Sequence, residues 1–405
     1  MEKILVGDLK LGPEEKSAVN EIMDSNRVSE GKFVRLFEKE WAEYVGTKYA
    51  IAISSGTSAL LAGLLALRHK KGLKLDEKKK IITTPLTYIA TSNAIIHSDF
   101  EPVFVDVNDD FTLNAGQIEI ILEEANDPGD FFALLPVHLL GNICDMKKIS
   151  SIAKKFGLFV FEDSAQAHGS VQDGKRAGSF GELSEFSFYI AHNIQAGEMG
   201  AINTNDQEIF RLIKKIKANG RLCDCEICTR SKGQCPKILA NKSEDDIDPR
   251  FTHDMIGLNF KTMEFPAAIA SCQLKKADWI MKKRQENVKY LNGELEDMQQ
   301  YLKLPEFSRD ISYLAYPLII KEKNGVSRKE LRMKLEAKGI ESRPLFGSIP
   351  EQPCFGFLKK KYEGKLPKAR FLGRNGFYVG CHQYLEKEQL DRMASAIKET
   401  IKETK

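Results

Sequence analysis

Short apolar runs, each closed by a polar, glycine- or serine-rich turn, alternate along this chain with stretches of helical spacing. The runs Lys48–Ser54, Lys80–Thr84, Glu101–Val107, Phe131–Leu140, Leu158–Phe161 and Phe186–Ile190 predict strands. Between them, Gly31–Val45 places Phe33, Leu36, Phe37, Trp41 and Tyr44 at helical spacing, and Gly116–Glu124 repeats that pattern. Strand and helix alternate in this way to about Thr204. That indicates a mostly parallel sheet with helices on both faces, an α/β fold. Further on, Phe265–Leu274 predicts an apolar helix. From about residue 285 come a helix, a linker and a smaller α/β unit: strand Ser312–Ile320, helix Ser327–Lys338, strand Gly376–Cys381 and helix Glu386–Ile401. Residues 1–275 are therefore expected to form a large domain and residues 276–405 a small one.

Composition narrows this picture without redirecting it. With 42% hydrophobic residues in 405, the chain can bury a large core. The formal net charge of +3 is spread over many charges of both signs, which implies no nucleic-acid partner. Met1 is followed at once by Glu2 and Lys3, and no apolar run is long enough to span a bilayer, so a cytoplasmic location without a membrane is expected. Four of the eight cysteines crowd one polar segment, and in a reducing compartment that suggests metal rather than disulfides.

Candidate chemistry sits where apolar runs end. Ser55-Gly56-Thr57-Ser58 opens a helix, and free N–H groups at such a start favour phosphate. Asp163 closes the Leu158–Phe161 run, where a buried carboxylate is costly unless it meets a cation. His138 ends the Phe131–Leu140 run and is expected to be structural, as is His168. His192 follows Phe186–Ile190 in a turn of small residues, facing the edge of the sheet.

The segment Ser184–Gly200, SEFSFYIAHNIQAGEMG, strongly resembles the catalytic turn of the DegT/StrS-type, pyridoxal phosphate (PLP)-dependent, sugar-modifying family. That turn reads Ser-Phe-aromatic-x-x-Lys-Asn, and its lysine holds PLP as a Schiff base. In this chain His192 stands at the lysine position. The resemblance covers nearly the whole chain and implies the fold type I aminotransferase architecture, with the site at the carboxyl ends of the strands. It implies that Gly56 and Thr57, in the SGT(S/A)AL motif, and Ser187 grip the cofactor phosphate. Tyr88 would stack on the pyridine. In E-D-x-A-Q-(A/S)-x-G, matched by residues 162–169, Asp163 would face the ring nitrogen and Gln166 would contact the ring. Asn259, in G-x-N-(Y/F)-(R/K), would reach across a homodimer interface to the partner's cofactor phosphate. Arg343, before Pro344, and His382, in the run VGCHQ, would line the substrate side.

An imidazole forms no stable Schiff base with PLP, yet it moves protons near neutrality. His192 therefore resembles the lysine-lacking 3-dehydratase branch of the family. There the amine form, PMP, condenses with the C4 ketone of a nucleotide-linked 4-keto-6-deoxy sugar, and the histidine removes a proton from the cofactor's C4′ carbon as the C3 hydroxyl leaves. The cysteines Cys223, Cys225, Cys228 and Cys235 read C-x-C-x₂-C-x₆-C. Four thiolates suit an iron–sulfur cluster or tetrahedral zinc. Spacing alone leans to zinc, whereas resemblance to a cluster-bearing member of the branch leans to iron–sulfur and to an NAD(P)H-dependent reductase as partner. With zinc, glutamate would regenerate PMP. The other readings are a nucleotide-sugar aminotransferase-like enzyme and a non-catalytic PLP-fold binding protein.

Overall fold

A computed structural model describes residues 3–74, 76–223, 225, 235, 248, 251–321 and 325–403. Its strands are β1 Tyr49–Ile53, β2 Lys79–Thr83, β3 Phe100–Phe104, β4 Phe131–Leu135, β5 Phe159–Asp163, the hairpin β6 Val171–Gln172 and β7 Lys175–Arg176, β8 Leu183–Ser187, β9 Gly200–Thr204, β10 Leu302–Lys303, β11 Tyr316–Ile320, β12 Ser342–Pro344 and β13 Gly376–Val379. The large sheet runs β1-β9-β8-β5-β4-β2-β3. All its pairs are parallel except those of β9, which is antiparallel to both β1 and β8. Residues 188–199 between β8 and β9 form no crossover helix, so the chain turns straight back.

Helices α1 Pro13–Ser25, α2 Lys32–Val45, α3 Gly56–Lys71, α4 Ile89–His97, α5 Ala115–Glu123, α6 Met146–Phe156 and α7 Gln207–Ile216 surround this sheet. On one face Leu60, Leu64 and Leu67 of α3 and Ile209 and Ile213 of α7 pack on Ile51, Ile53 and Phe161. On the other, Ile118 and Leu122 of α5 and Ile149 and Ile152 of α6 pack on Ile82, Leu134 and Val160. A third cluster joins Phe37 and Trp41 of α2 to Phe186 and Phe188, with Trp41 edge-on to both rings. Of the predicted core residues of α2, Leu36 is exposed instead.

The second sheet, β10-β11-β13-β12, is antiparallel throughout. Leu318, Phe377 and Val379 face the helices Arg328–Ala337 and Lys387–Glu403 through Leu331, Leu335, Met393 and Ile397. Ile4 of the N-terminal arm joins this core, although it is far away in sequence. No helix among the described residues is long and apolar enough to cross a membrane.

Several elements differ from the sequence pattern: the strand expected as Ser312–Ile320 begins at Tyr316, the run Glu101–Val107 is a strand only to Phe104, and the helix expected from about residue 285 begins at Ala277. The run expected to continue to Leu140 is a continuous strand only to Leu135, since Pro136 has no N–H to give, although Val137 still bridges Asp163 of β5. The run expected as Phe186–Ile190 ends at Ser187. Phe188 is buried, but Tyr189 and Ile190 emerge into solvent as the chain turns. Helix α1 has no counterpart in the sequence pattern, since only Glu15 and Ile22 of its residues are buried.

Candidate active site

The tightest part of the site is the start of α3. Ser55 is the N-cap and its hydroxyl accepts from the Ser58 N–H at 3.1 Å. The first turn of a helix leaves N–H groups without intrahelical partners, at the positive end of its dipole. Strands β8 and β9 press directly against this turn. A Cβ on Gly56 would stand 2.7 Å from Ser187 Cβ, and one on Gly200 would stand 2.4 Å from the Ser55 carbonyl carbon. Only glycine permits that approach, and it brings Gly56 and Ser187 into one cradle of donors with exposed Thr57 at its edge.

Asp163 lies at the carboxyl end of β5 and is buried. Thr91 Oγ1 donates to its Oδ2 at 2.7 Å, and the Ala165 N–H reaches Oδ1 at 3.4 Å. Thr91 in turn lies 2.9 Å from the Thr87 hydroxyl. Asp163 is thus tied to the first turn of α4, whose N-cap is Tyr88. The Tyr88 ring is 60% exposed and 5.9 Å from the Phe346 ring. Gln166 Oε1 accepts from the Leu140 N–H at 2.9 Å, which leaves its NH₂ to make a further bond. The adjacent Glu162 is spent on structure: it accepts from the N–H groups of Gly178, Phe180 and Gly181 and meets His138 Nε2 at 3.0 Å. His138 has the structural role expected of it.

His192 sits in a loop closed by its own backbone. Phe188 N–H donates to Met199 O, Ala196 N–H to Phe188 O and His192 N–H to Tyr189 O. Within it, His192 Nδ1 lies 2.7 Å from the Ser187 carbonyl oxygen. A carbonyl can only accept, so Nδ1 carries the hydrogen and Nε2 keeps its lone pair. Burial is the main influence on the imidazole and pushes its pKa down to about 4, against the opposing pull of the Ser187 carbonyl and the Asp163 charge. The ring is therefore a neutral base near pH 7. His168 supports the loop from below: its Nδ1 accepts from the Ile194 N–H at 3.2 Å, and burial holds its pKa well below the usual value. Asn193 fastens the other side, donating to Ser312 O at 3.2 Å.

The remaining sequence candidates lie around this centre. Arg343, on β12, pairs with Glu341 at 2.9 Å and has Tyr189 of the histidine loop among its electrostatic neighbours. His382 is buried beneath the N-terminal arm at Leu5, and burial lowers its pKa to about 3. The arm continues over the histidine loop, where a Cβ on Gly7 would stand 3.5 Å from Ala191 Cα. Asn259 is exposed, in a segment whose Phe260 O accepts from the Ser54 N–H beside the cradle. Of the cysteines, Cys223, Cys225 and Cys235 are described and Cys228 lies outside the described residues. Among the described residues no three His, Cys, Asp or Glu side chains are grouped to hold a metal.

Three residues at the site escaped the sequence reading of function: Thr91, Glu185 and, as a support of the histidine loop, His168. Thr91 could have been found as the residue one helical turn after Thr87. Glu185 had one signal, a lone carboxylate inside an apolar strand.

The residues present fit a pyridoxal phosphate: a cradle of N–H and hydroxyl donors that a Cβ would fill, and a buried carboxylate, Asp163, with no cationic side chain paired to it among the described residues. Comparison with known proteins agrees. The family described as the DegT/DnrJ/EryC1/StrS aminotransferase family matches residues 10–398. GDP-perosamine synthase of Escherichia coli O157:H7 is 33% identical over 98% of this chain and 99% of its own length. GDP-4-keto-6-deoxy-D-mannose 3-dehydratase of Yersinia pseudotuberculosis is 29% identical over 95% of each chain. The solved structure of the Escherichia coli GDP-4-keto-6-deoxy-D-mannose-3-dehydratase with bound hydrated PLP superposes with a TM-score of 0.84 at 27% identity, covering 98% of this chain and all of that one.

Proposed function

This chain belongs to the DegT/DnrJ/EryC1/StrS aminotransferase family, and within it we propose that it dehydrates a nucleotide-linked 4-keto-6-deoxyhexose at C3, with His192 as the proton carrier. One observation carries the reading: an imidazole occupies the turn after β8, with Nδ1 fixed on Ser187 O and Nε2 left as a base. When bound, pyridoxamine phosphate supplies an amine that condenses with a ketone and a ring that accepts electrons. The chain's own residues do the rest. Gly56, Thr57 and Ser187 bind the phosphate, Asp163 holds the proton on the ring nitrogen, and Tyr88 covers the ring face. His192 Nε2 would be the base that takes a proton from the cofactor's C4′ carbon. Arg343 and His382 serve the substrate side, Arg343 toward the sugar or its phosphates. A second copy of the chain completes the site, its Asn259 reaching the phosphate.

The 33% identity to a GDP-perosamine synthase favours a second reading, amino transfer to the same class of sugar. Incubating the enzyme with a GDP-linked 4-keto-6-deoxyhexose, PLP and glutamate separates the two by product mass. Loss of the C3 hydroxyl supports dehydration, and a 4-amino sugar would refute it. The iron–sulfur cluster at Cys223, Cys225, Cys228 and Cys235, the zinc alternative and the reductase partner are proposals from the sequence, and no step here passes through them. Iron, zinc and acid-labile sulfide analysis of anaerobically purified protein decides among them.

A further inference from the structure

We propose that Glu185 is a positioning residue of the cofactor seat: its neutral carboxyl donates a hydrogen bond to Asp163 and keeps Asp163 the anion that faces the ring nitrogen. The inference rests on the pyridoxal phosphate reading of that seat. Glu185 on β8 is directly opposite Asp163 on the parallel strand β5. Residues paired in this way project from the same face with their Cβ atoms about 5 Å apart. Both are buried, Asp163 to 6% and Glu185 to 1% exposure. Two carboxylates held so close in a dry site cannot both ionise.

The hydrogen bonds decide which keeps the charge. Asp163 alone receives the Thr91 hydroxyl, at 2.7 Å, while the Ala165 N–H is shared, lying 3.4 Å from Asp163 Oδ1 and also acting on Glu185. Glu185 Oε2 has no hydrogen-bond partner, and it lies where a Cβ on Gly56 would be 3.1 Å away. Anionic charge therefore settles on Asp163 and the proton on Glu185. Burial first, and the Asp163 charge second, push the Glu185 carboxyl well above its usual pKa. A protonated carboxyl is a donor, and the acceptor beside it is Asp163. One side chain thus lies between the two ends of the seat, the carboxylate for the ring nitrogen and the turn for the phosphate. By donating to Asp163 it makes that carboxylate less basic, so the shared proton stays on the ring nitrogen and the ring remains an electron acceptor.

Infrared spectroscopy of the full chain at neutral pH reads the proton directly. A protonated-carboxyl stretch is expected in the native protein and absent from Glu185→Gln. A band of native strength in that variant would overturn the proposal. Absorbance titration with PLP reads the consequence. Glu185→Gln keeps a donor of similar shape and is expected to bind nearly as well as the native chain, while Glu185→Leu is expected to weaken binding ~10-fold or more, the loss of a hydrogen bond to a charged group. Equal weakening in both variants, or weakening in neither, would overturn it too. Asp163→Ala that binds PLP undiminished would sink the seat reading itself, and the inference with it.

Discussion

The two sides of this site are built in opposite ways. The cradle side, Gly56, Ser187, Asp163 and Thr91, is packed at contact distance from strands whose register is fixed. The open side, Tyr88, Tyr189, Ile190 and Asn259, is exposed in the single chain. Packing at contact distance suits binding of a fixed group in one pose, since any shift there costs steric energy. Exposed aromatic and apolar side chains suit a surface that another body covers. His192 stands on the border, half-buried, in a loop whose backbone bonds belong to the cradle side and whose Tyr189 and Ile190 belong to the other.

The largest effect is expected at that border. His192→Ala should reduce dehydration ~10²–10⁴-fold, the usual worth of a positioned general base, while PLP affinity stays close to native. Stopped-flow single turnovers and absorbance titration measure the two separately. Undiminished turnover would remove His192 from the chemistry. His192→Lys should gain a cofactor adduct that borohydride traps, which the native chain should lack. Because burial sets the native imidazole near pH 4, below its value of about 6.5 in an unfolded chain, the unfolded state takes up the proton first. Stability linked to this ring is therefore full above pH 6.5 and lost as pH falls toward 4. Urea denaturation at pH 7.5 and 4.5 should show a smaller loss in His192→Gln than in the native protein.

On the cradle side, Gly56→Ala should lower stability by about 1–3 kcal/mol, the range for overpacking a close-packed site, because its Cβ meets Ser187 Cβ at 2.7 Å. PLP affinity should fall along with it. A variant of native stability and affinity would show that the two strands are not held against the turn. On the open side the analogous change is milder. Tyr88→Ala should cost about 0.5–1.5 kcal/mol of PLP affinity, the worth of one aromatic pair, and Tyr88→Phe almost nothing. Equal losses for both would mean that the hydroxyl, not the ring face, is used.

The same contrast explains what the sequence made legible. The cradle is written locally: Ser55-Gly56-Thr57 opens a helix, and Asp163 stands where an apolar run meets polar residues, so chemistry and position coincide within a few residues. Glu185 escapes because its meaning lies in a partner on another strand. Nothing near it in sequence says that β8 will be set against β5 in that register. Thr91 and His168 act through folded neighbours for the same reason. The apolar pattern runs three residues past the end of β8, since Tyr189 and Ile190 are apolar yet exposed, as residues on a covered surface would be. The cysteine spacing is plain in the sequence, but the described residues do not gather three of its thiols, so the reading of a metal there rests on the spacing and the resemblance alone.

A last effect, comparable to that at Gly56, tests whether the open side is closed by a second chain. Asn259 is exposed on a segment bonded to Ser54, at the rim of its own cradle. Losing one hydrogen bond to a charged phosphate costs roughly 1.5–3 kcal/mol, so Asn259→Ala alone should weaken PLP binding without touching the His192 base. Its location is read by mixing. In a symmetric dimer with shared sites, a chain carrying Asn259→Ala and a chain carrying His192→Ala place both defects in one site and leave the other intact. Random reassortment of equal amounts makes about half of the dimers mixed, and half of their sites are intact. About a quarter of native activity should then appear at PLP concentrations where neither variant alone is active. If Asn259 served its own chain's cofactor, every site would keep one defect and mixing would restore nothing.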